Sequence, residues 1–220
     1  MQKRRTPMIS QEKLIQLRDL GTATIYEAQG AQGAFDHGMK PIDPTVRMAG
    51  PALTVDVRPA DNLMLHYAVL QARPGDVLVV DAKGFMEAGP WGDVLTLQAM
   101  KQGIAGLVIH GCVRDANLII DLGFPVFCRG LSIKGTGKNQ PGKVNVPISI
   151  GDAVIRPGDI VVGDRDGLVV VAHDEVDRTI ANSLAREEKE IKQREAIEAG
   201  TSNTLELLNL GDTLKRFGLV

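Results

Sequence analysis

Three charged residues stand where helices and strands begin or end, positions from which they can bind an anion or a cation. Asp93 follows Gly92 at the start of the helix-like stretch WGDVLTLQAM, and the pair Arg114-Asp115 follows the apolar run GLVIHGC. Where a helix begins, the first backbone N–H groups lack partners and carry the positive end of the dipole. A small carboxylate or phosphate binds at such a turn; alternatively, Asp93 simply caps its own helix. Arg114 and Asp115 come just past a buried strand, at the carboxyl end where open α/β sheets place ligands. They serve equally as a surface ion pair, with Asp115 as N-cap of ANLIIDLG. If helix and strand form one βαβ unit, these charges share one sheet edge. Two carboxylates there repel unless a cation lies between them, and oxygen donors with room for water suit Mg²⁺ or Mn²⁺. Zinc fits less well, because His37, His66, His110 and His173 are scattered without paired ligand spacing. Of these, His66 shares a helical face with Asn62. A further stretch, IKGTGKNQPGK, sets Lys134, Thr136 and Lys138 around two glycines. It can hold an anion with backbone N–H groups and ammonium charge, or be a mobile basic loop.

These residues need elements to position them. SQEKLIQLRDL places Leu14, Leu17 and Leu20 near one helical face, with Ser10 as N-cap and Gly21 as stop. A short helix follows over Ala23–Gln29, then the breaker-rich loop GAFDHGMKPIDP, the strand PALTVDVRP, and a helix NLMLHYAVLQA capped by Asp61. ARPGDVLVVDA at 72–82 and IRPGDIVVGDR at 155–165 repeat a Pro-Gly turn and a strand buried on both faces. The repeat is either a recurrent turn–strand device or an internal duplication. Between the copies, a helix over Asp93–Gln102, the strand GLVIHGC, the helix DANLIIDLG and the strand PVFCRG alternate as βαβ units of a parallel sheet. After Val144 short β-segments joined by Gly-Asp turns take over. A charged helix over Asp174–Ala199 then projects or packs on a neighbour. The fold class is α/β, with an α/β core over 1–172 and a C-terminal helical arm over 173–220.

Composition narrows the function. Of 220 residues, 44% are apolar and 24% charged, as in globular proteins. A net charge of -2 gives no electrostatic basis for a nucleic-acid partner. MQKRRTPM begins like a signal peptide, but no apolar run follows it, and no window nears the roughly 18 apolar residues of a membrane span. Cys112 and Cys128 are expected as buried thiols. The expectation is a cytoplasmic protein acting on a small molecule, with neither nucleic acid nor membrane as partner.

Asp93, twenty intervening residues and Arg114-Asp115 together resemble the signature of the class II pyruvate aldolases. These enzymes cleave 4-hydroxy-4-methyl-2-oxoglutarate and 4-carboxy-4-hydroxy-2-oxoadipate. The likeness spans most of the chain: TATIYEAQG, DNLMLHYA, GDVLVVDA, KGTGK with VNVPI, and GDIVVGDRDGLVVV. It implies a swivelling β/β/α fold, shared with the regulator of ribonuclease activity A, which lacks the acid after the arginine. Asp115 is present here, as in the enzymes. The resemblance further implies that Asp115 ligates the divalent metal and Asp93 orients a water of its hydration shell. Arg114 would meet the keto or enolate oxygen, and backbone N–H groups near Gly92 and Val94 would receive the carboxylate. Glu190 would reach a neighbouring subunit's site, in a homotrimer or homohexamer. Asn62, Thr136 and Lys138 match positions near a distal anion site. Pyruvate and a second 2-oxo acid would be the products, with oxaloacetate decarboxylation as a side activity. Two other readings are a non-catalytic regulator of a ribonuclease or helicase, and a class I aldolase with Lys83, Lys134 or Lys138 as Schiff base.

Overall fold

Residues 9–220 are described in the computed structural model, so the reading of MQKRRTPM lies outside the described residues. Two helices lead: α1 (Gln11–Leu20), whose Ser10 Oγ accepts from the Lys13 N–H, and α2 (Thr22–Ala28). Strands β1 (Lys40–Pro41) and β2 (Met48–Asp56) precede α3 (Leu63–Gln71), β3 (Val77–Phe85), α4 (Asp93–Lys101), β4 (Gly106–Val113), α5 (Ala116–Asp121) and β5 (Val126–Leu131). Short strands follow: β6 (Lys143–Val144), β7 (Ile148–Ile150), β8 (Ala153–Ile155), β9 (Ile160–Gly163) and β10 (Leu168–Val171). A 3-10 turn, His173–Glu175, leads into the long α6 (Val176–Glu198), then α7 (Thr204–Leu207) and α8 (Gly211–Arg216). No described helix is long and apolar enough to cross a membrane.

The alternation of strand and helix gives the expected parallel element: β2, β3, β4 and β5 pair in parallel. The mixed sheet runs β1-β5-β4-β3-β2-β9-β10, with β6 also on β2 and β7-β8 a separate hairpin. Strand β2 divides its partners. Met48–Pro51 pair antiparallel with β9, and Ala52–Asp56 pair in parallel with β3. Both Arg-Pro-Gly-Asp copies make one turn. The Arg73 and Arg156 N–H groups each donate to the Asp Oδ2 three residues on, at 2.8 Å, and Gly75 and Gly158 both take φ 89. Pro then Gly at the two central positions is what a type II turn requires.

Three cores hold these layers. Leu78, Val80, Leu107 and Ile109 pack under α3, α4 and α5, with Trp91 and Phe124 stacked at 6.4 Å. Val77, Val79, Val108 and Phe127, on the other sheet face, meet β7-β8. Leu17, Ile25, Val162 and Val171 form a third with Val176 and Ile180 of α6. After these first turns α6 is mostly exposed, with Leu184, Ile191 and Ile197 open to solvent. Cys112 and Cys128 are buried free thiols, and burial pushes Cys128 up to about 11.

Candidate active site

Loops at the carboxyl ends of all four parallel strands meet at one edge: 57–62 after β2, 86–92 after β3, 114–115 after β4 and 132–140 after β5. This is where doubly wound sheets place ligands. It brings together Asp93, Arg114 and Asp115, as the βαβ reading required.

Asp115 holds the N-cap position of α5, as the sequence reading had it, but its side chain makes no cap bond. Its backbone is left-handed, φ 57, a conformation costing a non-glycine residue roughly 1–2 kcal/mol. The carboxylate instead turns toward the start of α4, Oδ2 lying 3.4 Å from the Asp93 N–H and 3.5 Å from Arg114 Nε. Asp93 is likewise not the cap of α4: Gly92 is, and Asp93 is the first helical residue. A Cβ on Gly92 would overlap Asp115 Oδ2 and stand 3.3 Å from Arg114 Cγ and Nε. Glycine is thus required here by close approach. Buried Trp91 pins the turn: its O accepts from the Arg114 N–H at 2.9 Å, and Nε1 donates to Thr96 Oγ1 at 2.8 Å. Thr96 Oγ1 in turn donates to Gly92 O at 3.0 Å.

The second group of residues also converges. The Asn62 N–H donates to Gly137 O at 3.0 Å and the Gly137 N–H to Ala60 O at 2.8 Å, stitching the start of α3 to the loop carrying Thr136 and Lys138. Asn62 stands at the N-cap position of α3, one residue beyond the expected Asp61, but makes no side-chain cap bond; Asp61 supplies the acceptor for the first helical N–H. Asp61 does more than cap. At 2% exposure its carboxylate accepts from Leu63, Asn139 and Gln140 N–H groups at 3.0, 2.8 and 3.2 Å. Burial pushes this carboxyl up, but the Asn139, Leu63 and Gln140 N–H groups and the Lys138 charge hold it below the usual range. Asn62 Nδ2 donates to Pro90 O at 2.9 Å, tying this group to the 86–92 turn, and its Oδ1 is buried without a hydrogen-bond partner. Burial, and then Lys138, lower His66, which places that histidine beside the same loop. The Gly89 N–H donates to Lys134 O at 3.0 Å, and a Cβ on Gly135 would lie 3.9 Å from Arg114 Nη1.

Glu190 is elsewhere in the chain. It lies on α6, paired with Arg186 at 2.9 Å and Arg194 at 3.5 Å, and Arg186 also reaches Glu27 of α2 at 3.7 Å. Of the Schiff-base candidates, Lys83 lies 2.6 Å from both Asp56 and Asp81. Desolvation lowers its pKa, but those two carboxylates more than offset this and hold it raised. A nucleophilic amine needs a lowered value. Lys134 is paired with Glu87.

Among the described residues no group of three or more His, Cys, Asp or Glu side chains is gathered to hold an ion by itself. The donors at the edge are carboxylate oxygens, and the Asp115 side chain keeps 34% exposure. That set fits a hydrated Mg²⁺ or Mn²⁺, not a closed zinc cage. Asp61 and Trp91, which brace the loops of this edge, are the positions sequence reasoning missed. The one available signal was an Asp-Asn pair in which either residue could cap.

Comparison with known proteins places the chain. The family model described as RraA-like, Aldolase/RraA, matches residues 22–170, and the chain belongs to this family. A Halalkalibacterium halodurans protein named "Putative 4-hydroxy-4-methyl-2-oxoglutarate aldolase" is 38% identical over 184 residues, 84% of this chain and 88% of that one. An uncharacterized protein from Pseudomonas syringae pv. tomato superposes with TM-score 0.83 at 32% identity, covering 94% of this chain and 96% of that one. The RNA-processing inhibitor RraA from Thermus thermophilis superposes with TM-score 0.63 at 26% identity, over 69% of this chain and 92% of that one.

Proposed function

We propose that this chain is a Mg²⁺- or Mn²⁺-dependent aldolase. It cleaves a 4-hydroxy-2-oxo acid of the 4-hydroxy-4-methyl-2-oxoglutarate or 4-carboxy-4-hydroxy-2-oxoadipate kind into pyruvate and a second 2-oxo acid. The observation that carries this is the Asp115 carboxylate, held in a left-handed turn against Gly92 and beside Arg114. Asp115 would hold the ion, with Asp93 at the same turn orienting a water of its hydration shell. When bound, the ion supplies fixed positive charge where the pyruvate enolate develops. Arg114 adds a guanidinium at the keto oxygen, and N–H groups at the start of α4 orient the carboxylate. Asn62, Thr136 and Lys138 receive the distal carboxylate, and residues of KGFMEAGPW wall the group at C4. Loss of carbon dioxide from oxaloacetate passes through the same enolate, so decarboxylation accompanies the aldol reaction.

Site completion requires a second copy, in a homotrimer or homohexamer, whose Glu190 helps take the C4 hydroxyl proton. The outward faces of α3 and α4 support such packing. Leu63, Tyr67 and Leu70 of α3 and Val94, Leu97 and Met100 of α4 are exposed beside a few polar residues, and exposed apolar side chains gathered like this mark surfaces that a partner covers. The test is pyruvate release with and without EDTA, and with Asp115→Ala; unchanged turnover in both contradicts the proposal. The similarity to an RNA-processing inhibitor favours a second reading, a regulator without catalysis. Turnover of none of these oxo acids, with capture of a ribonuclease or RNA helicase, would decide for it.

A further inference from the structure

Strand β3 carries an irregularity that the chemistry above does not use. Val80 pairs with Ile109 and Phe85 with Gly111, so residues 81–84 face the single residue 110. Lys83 and Gly84 both take left-handed backbone, φ 61 and 65. Lysine has no intrinsic reason to sit there, and what holds it is charge. Asp81 Oδ1 accepts from the Lys83 N–H at 2.9 Å, while Lys83 Nζ lies 2.6 Å from Asp81 Oδ2 and 2.6 Å from Asp56 Oδ1 on β2. On the other side His110 Cε1 and Arg129 Nη1 lie 3.3 and 3.2 Å from where a Gly84 Cβ would be. The bulge is therefore clasped from β2, β4 and β5. Bulges recur beside active sites, where they re-aim the chain. This one ends at Phe85, and the next seven residues contain Pro90, which accepts from Asn62, and Gly92, on which Asp115 rests.

We propose that Lys83 is a positioning residue: by bridging Asp56 and Asp81 it fixes the bulge from which the 86–92 segment departs, and through that segment it sets the seat of Asp115. The kinetic consequence rests on the aldolase reading; the structural one does not. Three variants test it. Lys83→Met keeps the stem and removes the charge, Lys83→Arg keeps a cation, and Lys83→Gly suits the left-handed backbone without an ammonium. Hydrogen exchange of residues 86–93 and turnover are read together, with far-UV circular dichroism confirming that each variant is folded.

Lys83→Met is expected to speed exchange and to lower kcat by about tenfold, the scale of sub-ångström misplacement, with KM within about twofold. Lys83→Arg restores both, and Lys83→Gly does not. Should Lys83→Met unfold, the comparison of Arg with Gly alone decides. Wild-type exchange in Lys83→Met, or full recovery in Lys83→Gly, overturns the proposal. If the wild type turns over no oxo acid, the aldolase reading fails while the exchange comparison still stands.

Discussion

Gly92→Ala isolates the packing between the α4 turn and Asp115. Gly92 has extended backbone, φ -151 and ψ -168, which alanine adopts freely, so the whole effect comes from one methyl group. That methyl would overlap Asp115 Oδ2 and press on Arg114 Cγ and Nε at 3.3 Å. Ordinary van der Waals separation requires the carboxylate to retreat by roughly 1 Å. It retreats by rotating its side chain, because the Asp115 backbone is fixed in the left-handed turn that closes β4 onto α5. Misplacement on that scale costs on the order of 100-fold in turnover. Stability changes by no more than about 0.5 kcal/mol, since the displaced group is partly solvated. Pyruvate release coupled to lactate dehydrogenase reads the first quantity, urea unfolding the second, and Mn²⁺ titration reports whether the ion site moved with the carboxylate. A variant within twofold of wild type in both turnover and Mn²⁺ affinity would show that the contact between Gly92 and Asp115 does not set the site.

Asp61→Ala strands the Leu63, Asn139 and Gln140 N–H groups that the carboxylate accepts, and costs about 2–3 kcal/mol in urea unfolding; a loss below about 0.5 kcal/mol would show that the loop holds itself. Burial raises the Asp81 carboxyl, but His110 and Lys83 together bring it down to about 2. Because the folded value lies below the unfolded one, this ionisation contributes stability that is present above about pH 4 and lost as pH falls toward 2. The contribution is about 2 kcal/mol, and Asp81→Asn should flatten that part of the stability–pH curve. Asp115→Ala and Glu190→Gln should each be inactive alone, whereas unfolded and refolded as an equal mixture they should recover about a quarter of wild-type activity if each site takes residues from two neighbouring subunits. No recovery on mixing would place the functional glutamate elsewhere.

The strands were legible where burial on both faces left unbroken apolar runs, as in VLVV of β3 and GLVIHGCV of β4, and where Pro-Gly turns marked the entry. Their parallel order followed from the alternation with helices. The antiparallel half of β2 on β9, and β1 on the outer edge of β5, depend on packing between distant segments and leave no local pattern. At the candidate site, Asp93, Arg114 and Asp115 stood out in the sequence because charge fell where strand and helix meet. Ser10 and Asp115 take the cap positions expected of them, whereas the caps of α4 and α3 fall one residue away from the expected ones, at Gly92 and Asn62. At Asp61, hydrogen bonds to partners far along the chain compete with local capping: two of its three donors lie 78 and 79 residues away. The bulge at 81–84 was invisible for the same reason, its lysine being held by Asp56 from another strand.

On the proposed reading, Asp115 and Arg114 assemble the charge that makes pyruvate an enolate. Exchange of the pyruvate methyl protons in D₂O, followed by proton NMR, measures this without needing the second half of the substrate. Exchange should require both protein and Mg²⁺ or Mn²⁺, stop with EDTA, and be lost in Asp115→Ala. Exchange that continues in Asp115→Ala, or wild-type protein with either ion that exchanges no faster than buffer, would contradict it.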